Sequence, residues 1–174
     1  MAGSLEFIKS GSGTSVSDFS ITNCFSSSYE IYKVVIDNIE FGTGADLKFR
    51  FINASGVVSS ANYDSAVLLM RSYGSFADNN TSGGTEFRSI GFYDPAGGIG
   101  TGKGGATVIY ITNPFNSSSF SSAMWQNAGI SSIGTPARKG LGVLKVAESH
   151  TGINFLASET ILNAKARVYG VKKE

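Results

Sequence analysis

The segment 29–53 constrains the fold most, because its β-branched and aromatic residues alternate with polar residues at the two-residue period of a β-strand. Its two halves are separated by the Gly-rich residues 42–44, so the pattern predicts two strands joined as a β-hairpin. The side chains predicted to form the apolar, inward-pointing faces are Tyr32, Val34, Ile36, Leu47, Phe49 and Phe51. The opposite faces of both strands carry most of the charged side chains.

Strand-like runs recur along the rest of the chain, roughly ten in all, and no stretch shows a convincing 3.6-residue period. This pattern predicts an all-β, single-domain antiparallel β-sandwich that is jelly-roll-like, with an immunoglobulin-type sandwich as the second choice. Residues 1–13 are expected to form a short N-terminal arm, and residues 14–174 the domain itself. Ser- and Gly-rich composition predicts a flexible linker at 10–15 and a loop at 77–84.

The balance of charge argues against polyanionic partners. The chain of 174 residues has 14 Lys and Arg against 13 Asp and Glu, a formal net charge of +1. Nucleic acid and membrane surfaces are therefore not expected partners. Cys24 is the single cysteine, which excludes an intrachain disulfide. The N-terminus has no signal-peptide pattern, so synthesis in a reducing cytoplasm is expected.

Two motifs that resemble catalytic or phosphate sites fail their context tests. The segment 100–105 satisfies G-x-G-x-x-G, but a strand-like run follows it where a phosphate site needs a helix N-terminus. His150 is the single histidine, and no G-x-S-x-G nucleophile elbow accompanies it. A Ser, His and acid constellation built by folding stays conceivable, but a solvated turn histidine is favoured. The sequence predicts no catalytic residue, no metal ligand and no cofactor.

A few side chains are candidates for ligand contact. Trp125 and Tyr93 offer aromatic surfaces that suit the apolar faces of sugar rings, although a core position is favoured for Trp125. The segment 78–80 is rich in side-chain oxygens, but it lacks the residue order of a calcium loop, so a polar turn is favoured.

The first third of the chain contains a series of four motifs: Phe7 to Lys9, a polar spacer with residues 14–17, the segment 25–36 with its Tyr-x-x-Tyr-Lys pattern, and the segment 45–51. This series resembles a module of tailed-phage virion proteins. Such modules are found in capsid decoration, cement and tail-fibre proteins of marine and freshwater phages, including cyanophages. The resemblance implies a jelly-roll-like sandwich that assembles as a homotrimer, performs no catalysis and resides in the virion.

Under this resemblance, the leading hypothesis is a capsid decoration protein that binds the major capsid protein, or another virion protein, and copies of itself. The expected capsid-docking residues of the arm are Leu5, Phe7, Ile8 and Lys9. The expected subunit-contact face consists of Lys33, Asp37, Lys48 and Arg50. The alternative hypothesis is a tail-fibre or receptor-binding module that recognises a host glycan through Trp125 and Tyr93.

Overall fold

The structure is a computed structural model that describes residues 5–41, 45–72, 74–91, 105–129 and 136–172. These residues form twelve β-strands, and none of them belongs to a helix that could span a membrane. The strands are β1 (Leu5–Gly13), β2 (Val16–Ile21), β3 (Ile31–Phe41), β4 (Leu47–Asn53), β5 (Gly56–Val57), β6 (Tyr63–Arg71), β7 (Ala77–Gly84), β8 (Phe87–Gly91), β9 (Gly105–Thr112), β10 (Ser121–Ala128), β11 (Pro136–Leu144) and β12 (Gly152–Val171).

The C-terminal strand β12 organises the fold because it pairs with four other strands along its 20 residues. Its C-terminal half lies between β1 and β3, and its N-terminal half lies between β2 and β4. The pairing register shifts between Leu156 and Ile161, where β12 passes from one set of neighbours to the other. Irregularities of this kind bend a strand and increase its local twist. One strand therefore belongs to both layers of the molecule.

The twelve strands form one continuous sheet, and the two sets of neighbours of β12 divide it into two parts, which we call the large sheet and the small sheet. The large sheet has the strand order β1-β12-β3-β9-β10-β11-β6-β7. In the small sheet, β2, β12 and β4 lie side by side, and β5 and β8 pair with the outer edge of β4. All pairings are antiparallel, which confirms the all-β antiparallel fold. Jelly-roll connectivity within that class stays a prediction.

The core between the two sheets is centred on Phe87 of β8. Its ring centroid lies 4.8 Å from that of Phe49 on β4 and 4.9 Å from that of Tyr63 on β6, so it contacts both sheets. Trp125 on β10 lies 6.0 Å away. These side chains are almost completely buried, and aromatic side chains of this size dominate the burial energy of a core.

Two glycines of β11 make room for this aromatic cluster. A Cβ atom on Gly140 would lie 2.3 Å from Cε2 of Trp125, and one on Gly142 would lie 2.5 Å from Cε1 of Phe87. Both positions face the core, where any side chain would occupy the space of a ring. The two glycines of this strand are therefore required by packing and not by a turn.

The predicted hairpin of residues 29–53 is wrong in its pairing but correct in its faces. Tyr32, Val34 and Ile36 are fully buried, as are Leu47, Phe49 and Phe51. However, β12 lies between β3 and β4, so these two strands are not neighbours. Local alternation determines which face of a strand is buried, whereas the partner of a strand depends on residues more than a hundred positions away.

Two segments predicted to be irregular are strands. Residues 10–13 continue β1 and pair with β12 of the same chain, so the predicted linker is wrong and the N-terminal segment is an edge strand. A Cβ atom on Gly11 would lie 2.7 Å from Ile21, which shows that this glycine serves packing. The predicted loop at 77–84 is the edge strand β7, which pairs with β6. Polar residues are typical of an exposed edge, which explains why composition alone suggested a loop.

Substitution of Gly140 tests this account of the core. We expect Gly140→Ala to lower the free energy of unfolding by about 1–3 kcal/mol, because the added methyl group forces the buried ring of Trp125 to move. Urea unfolding monitored by Trp fluorescence measures the change. Gly74→Ala is the control, since a Cβ atom there meets nothing within 4 Å. Equal stability of the two variants would contradict the packing role of Gly140.

Candidate binding face

An exposed row of side chains runs across the outer surface of the large sheet. The register places Met124 of β10 beside Tyr110 of β9 on one side and Leu141 of β11 on the other. Met124 and Leu141 are 58% and 57% exposed, and Tyr110 is 41% exposed. The complete row, from β1 to β7, is Phe7, Tyr169, Lys33, Tyr110, Met124, Leu141, Ala66 and Asn80.

A second row lies two residues further along each strand and points to the same side. It consists of Arg167, Val35, Val108, Gln126, Lys139, Leu68 and Asp78. We call the two rows together the binding face. Between β9 and β7 the binding face is hollowed into a groove of about 600 Å³ whose lining is mostly apolar. Polar side chains border this groove, among them Asp78, Asn80, Gln126 and Lys139.

Side-chain contacts between strands order part of the binding face. The Nζ atom of Lys33 lies 5.8 Å from the centroid of the Tyr110 ring, a cation–π contact. The rings of Phe7 and Tyr169 meet edge to face at a centroid distance of 5.8 Å. Aromatic contacts of this geometry favour one arrangement of the rings. These contacts hold three of the aromatic rings in place on the exposed surface.

The predicted subunit-contact residues do not share a face. Lys33 and Asp37 lie on β3 in the large sheet, where Asp37 forms an ion pair with Arg167. Lys48 and Arg50 lie on β4 in the small sheet, on the other side of the molecule. The prediction of a single contact face is wrong because it assumed that β3 and β4 pair directly.

The arm residues are held by their own chain. Phe7 belongs to the binding face and is 56% exposed, and Leu5 nearby is 45% exposed. Ile8 packs against the core, and the Nζ atom of Lys9 donates a hydrogen bond to the carbonyl oxygen of Thr22 at 2.8 Å. Of the four predicted docking residues, Leu5 and Phe7 are the apolar ones that the structure exposes to a partner.

The aromatic residues predicted to stack on sugars are not on the binding face as exposed rings. Trp125 is 1% exposed, which confirms the favoured core position and contradicts its role as a stacking surface. Tyr93 lies outside the described residues. Tyr110 is not among the residues that the sequence predicted for ligand contact, although it lies in the strand-like run that follows the glycine motif. The alternation of Ile109 and Ile111 with Tyr110 was the available signal, because it places Tyr110 on the opposite face.

The structure brings a serine, a histidine and a glutamate together beside Phe51 of the core. The Nδ1 atom of His150 lies 3.0 Å from the Ser121 hydroxyl oxygen, and its Nε2 atom lies 3.2 Å from Glu148 Oε1. The imidazole ring stacks on Phe51 at a centroid distance of 4.6 Å. His150 and Ser121 are completely buried, so the prediction of a solvated histidine is wrong.

This arrangement stabilises the fold and offers no route for a substrate. A nucleophile must reach the reacting atom at about 3 Å, which the complete burial of Ser121 prevents. Instead, the cluster connects separate segments of the chain. His150 Nδ1 also lies 3.1 Å from the carbonyl oxygen of Pro114, and Asn53 donates a hydrogen bond to the second carboxylate oxygen of Glu148 at 3.0 Å.

The glycine motif and the oxygen-rich segment 78–80 differ in what the structure describes of them. Residues 100–104 lie outside the described residues, and β9 begins at Gly105, so the predicted strand after the glycine motif is confirmed. Asp78 and Asn80 lie on β7, where the amide of Asn80 donates a hydrogen bond to Asp78 at 3.0 Å. In the part of the chain that the structure describes, no three His, Cys, Asp or Glu residues are grouped closely enough to hold a metal ion.

Comparison with known proteins gives only distant structural similarity. No protein-family model matches the chain, and no curated protein matches it. Among solved structures, the chain is similar to an alginate lyase mutant in complex with an alginate trisaccharide, with 9% identity, a TM-score of 0.29 and coverage of 90% of this chain and 81% of that chain. It is also similar to a homodimeric agglutinin from chicken liver, with 13% identity, a TM-score of 0.24 and coverage of 79% and 98%.

A third similar structure is the catalytic domain of a laminarinase from Thermotoga petrophila, with 10% identity, a TM-score of 0.28 and coverage of 90% of this chain and 69% of that chain. At these TM-scores none of the three similarities supports an argument about function. The functional argument therefore rests on the geometry of the chain itself.

The burial of His150 leads to a dependence of stability on pH. Burial lowers the pKa of His150 below its ordinary value of 6.5, although Glu148 opposes the shift. Below pH 6.5 the unfolded chain therefore binds more protons than the folded chain, and acidification destabilises the fold by at most about 1.4 kcal/mol per pH unit. We expect urea unfolding to show this loss between about pH 7 and pH 5.5, above the range in which carboxylates titrate.

His150→Gln isolates the effect, because His150 is the single histidine of the chain. The variant is expected to be less stable than the wild type at pH 7, but its stability should change much less between pH 7 and pH 5.5. The same slope in both proteins would show that another group is responsible.

Proposed function

We propose that this protein is a non-enzymatic structural component of a phage virion, a capsid decoration protein that attaches to the head through the binding face. The observation that supports this proposal most is the contiguous exposed apolar surface formed by Tyr110, Met124, Leu141 and Leu68. Single exposed apolar residues are common on proteins, whereas contiguous apolar patches bordered by polar residues are typical of interaction sites. The resemblance of the first third of the chain to phage virion modules supports the same function.

The composition of the binding face suits a protein partner. Protein interfaces have an apolar centre and a polar rim, and Met and aromatic residues are enriched in them. In the groove, Met124 and Leu141 form the centre, while Asp78, Gln126 and Lys139 border it. Apolar burial makes the free energy of binding to such a surface favourable, and the polar groups at its edge make the binding specific.

The proposal includes assembly as a homotrimer on the head. Cyclic assembly lets several copies attach at once, so a modest affinity of each binding face is strengthened by avidity. The two edge strands of the large sheet, β1 and β7, lie at opposite ends of the binding face. They are the elements beside the binding face through which neighbouring copies can contact each other. Light scattering after size-exclusion chromatography measures the number of copies.

Substitutions in the binding face test the attachment. We expect the double variant Met124→Ser and Leu141→Ser to fold normally, because both side chains are more than half exposed. Its affinity for purified heads that lack the protein should fall at least about tenfold, since apolar side chains at the centre of an interface contribute most to binding. Co-sedimentation with heads measures this affinity.

The matched control is Val57→Ser, which removes an apolar side chain that is 43% exposed and lies on β5 in the small sheet. This variant should bind heads as the wild type does. Undiminished binding of the double variant would contradict attachment through the binding face, and absence of head binding by the wild type would contradict the decoration function.

The groove favours a second candidate, a receptor-binding module that recognises a host glycan. Its volume of about 600 Å³ lies within the usual range of ligand sites. The exposed ring of Tyr110 lies at one end of the groove, next to the strand that carries the polar side chain of Gln126. A sugar ring stacked on Tyr110 would have hydrogen-bonding partners within the groove. This candidate uses Tyr110 in place of the buried Trp125.

Adsorption to susceptible cells distinguishes the two candidates. Under the glycan hypothesis, labelled wild-type protein binds cells, and Tyr110→Ala loses most of that binding because the stacking surface is removed. Phe120→Ala is the control, as Phe120 is 53% exposed and does not line the groove. Failure of the wild type to adsorb to cells, together with binding to heads, would eliminate the receptor-binding candidate.

A further inference from the structure

A cluster of three cations surrounds one carboxylate on the outer surface of the small sheet. Glu86 lies just before β8, and its side chain is only 6% exposed. Arg50 Nη2 is 2.9 Å from Glu86 Oε2, while Arg88 Nε is 3.1 Å and Lys48 Nζ 3.8 Å from Glu86 Oε1. The carboxylate is therefore covered by the cations that it attracts.

Glu86 is ionised at neutral pH in this setting. Burial acts to raise the pKa of Glu86, but hydrogen bonds from Thr85 and Arg50, together with the charges of Lys48 and Arg88, outweigh burial and lower it. The single negative charge is shared among three positive charges. Two positive charges at this position thus have no opposite charge within the cluster.

The arginines of the cluster have N–H donors that do not contact Glu86. Arg88 contacts Glu86 through Nε, and its side chain is 47% exposed, so its terminal Nη groups are accessible. Arg50 is fixed by two contacts, since its Nε also donates a hydrogen bond to the carbonyl oxygen of Thr85 at 3.1 Å. Guanidinium groups held in this way are already oriented for a planar or tetrahedral oxyanion.

Two further carboxylates, one just before β4 and one on β2, have partners of their own. Asp46, which directly precedes β4, contacts Arg138 at 2.6 Å. Asp18 lies two strands away, and its carboxylate accepts a hydrogen bond from the amide of Asn154 at 2.8 Å. Neither of these side chains is in contact with Lys48, Arg50 or Arg88 in the described residues. In the described residues, three cations therefore contact the single carboxylate of Glu86.

We infer that Lys48, Arg50 and Arg88 form an oxyanion-binding site in which Glu86 positions the cations. A carboxylate, sulfate or phosphate group of a ligand neutralises the positive charge that Glu86 leaves uncompensated. This site lies on the small sheet, whereas the binding face lies on the outer surface of the large sheet. It therefore provides a second point of attachment that is chemically different from the apolar groove. Its existence does not depend on the proposed attachment to heads.

Titration with simple anions tests the site. The Nε–H signals of Arg50 and Arg88 are followed by ¹H–¹⁵N NMR while sodium glutarate, sulfate or phosphate replaces sodium chloride at constant ionic strength. We expect saturable shifts of both signals with at least one of the three anions. The most tightly bound anion identifies the group, because glutarate represents protein carboxylates and the other two represent sulfated or phosphorylated ligands.

Arg88→Gln should weaken the binding of that anion about tenfold, as it removes one charge-assisted donor pair from an exposed position. Arg71→Gln, which removes an exposed charge at the end of β6 in the large sheet, should bind the anion as the wild type does. Shifts that do not saturate with any anion, or equal affinities of Arg88→Gln and the wild type, would overturn the inference.

Discussion

The pairing of β12 with four strands is the constraint on which the rest of the structure depends. Its two halves belong to different sheets, so the backbone hydrogen bonds of one strand hold both layers together. These pairings join residues separated by most of the length of the chain, and such long-range contacts slow folding because loop closure precedes the gain from the contact. Both layers are therefore complete only when β12 has taken its place.

The position of β12 also decides which side chains act together. It separates β3 from β4 and assigns them to different sheets, so the charged residues of these strands point to opposite sides of the molecule. On one side, Lys33 joins an apolar row that crosses the large sheet. On the other, Lys48 and Arg50 meet at Glu86. The two exposed surfaces thus differ in chemistry because β12 lies between β3 and β4, the strands that carry these charged side chains.

Sequence patterns predicted the faces of the strands well and their partners poorly. The burial of Tyr32 and Phe49 followed from local alternation, which is a property of neighbouring residues. The insertion of β12, the strand character of residues 77–84 and the burial of His150 depend on contacts between distant segments. Composition also misled where polar or small residues form an edge strand or, as at Gly11, fill a tight contact.

The apolar row of the large sheet is not explained by the needs of folding. The core is already filled by side chains on the opposite face, among them Trp125, which packs on Gly140, and Phe87, which lies between the sheets. Met124 and Leu141 alternate with these buried residues and face the solvent, where polar side chains would support the same strands equally well. Their adjacency across two strands is therefore a property of the surface, and contiguous apolar surfaces with a polar border are typical of interaction sites.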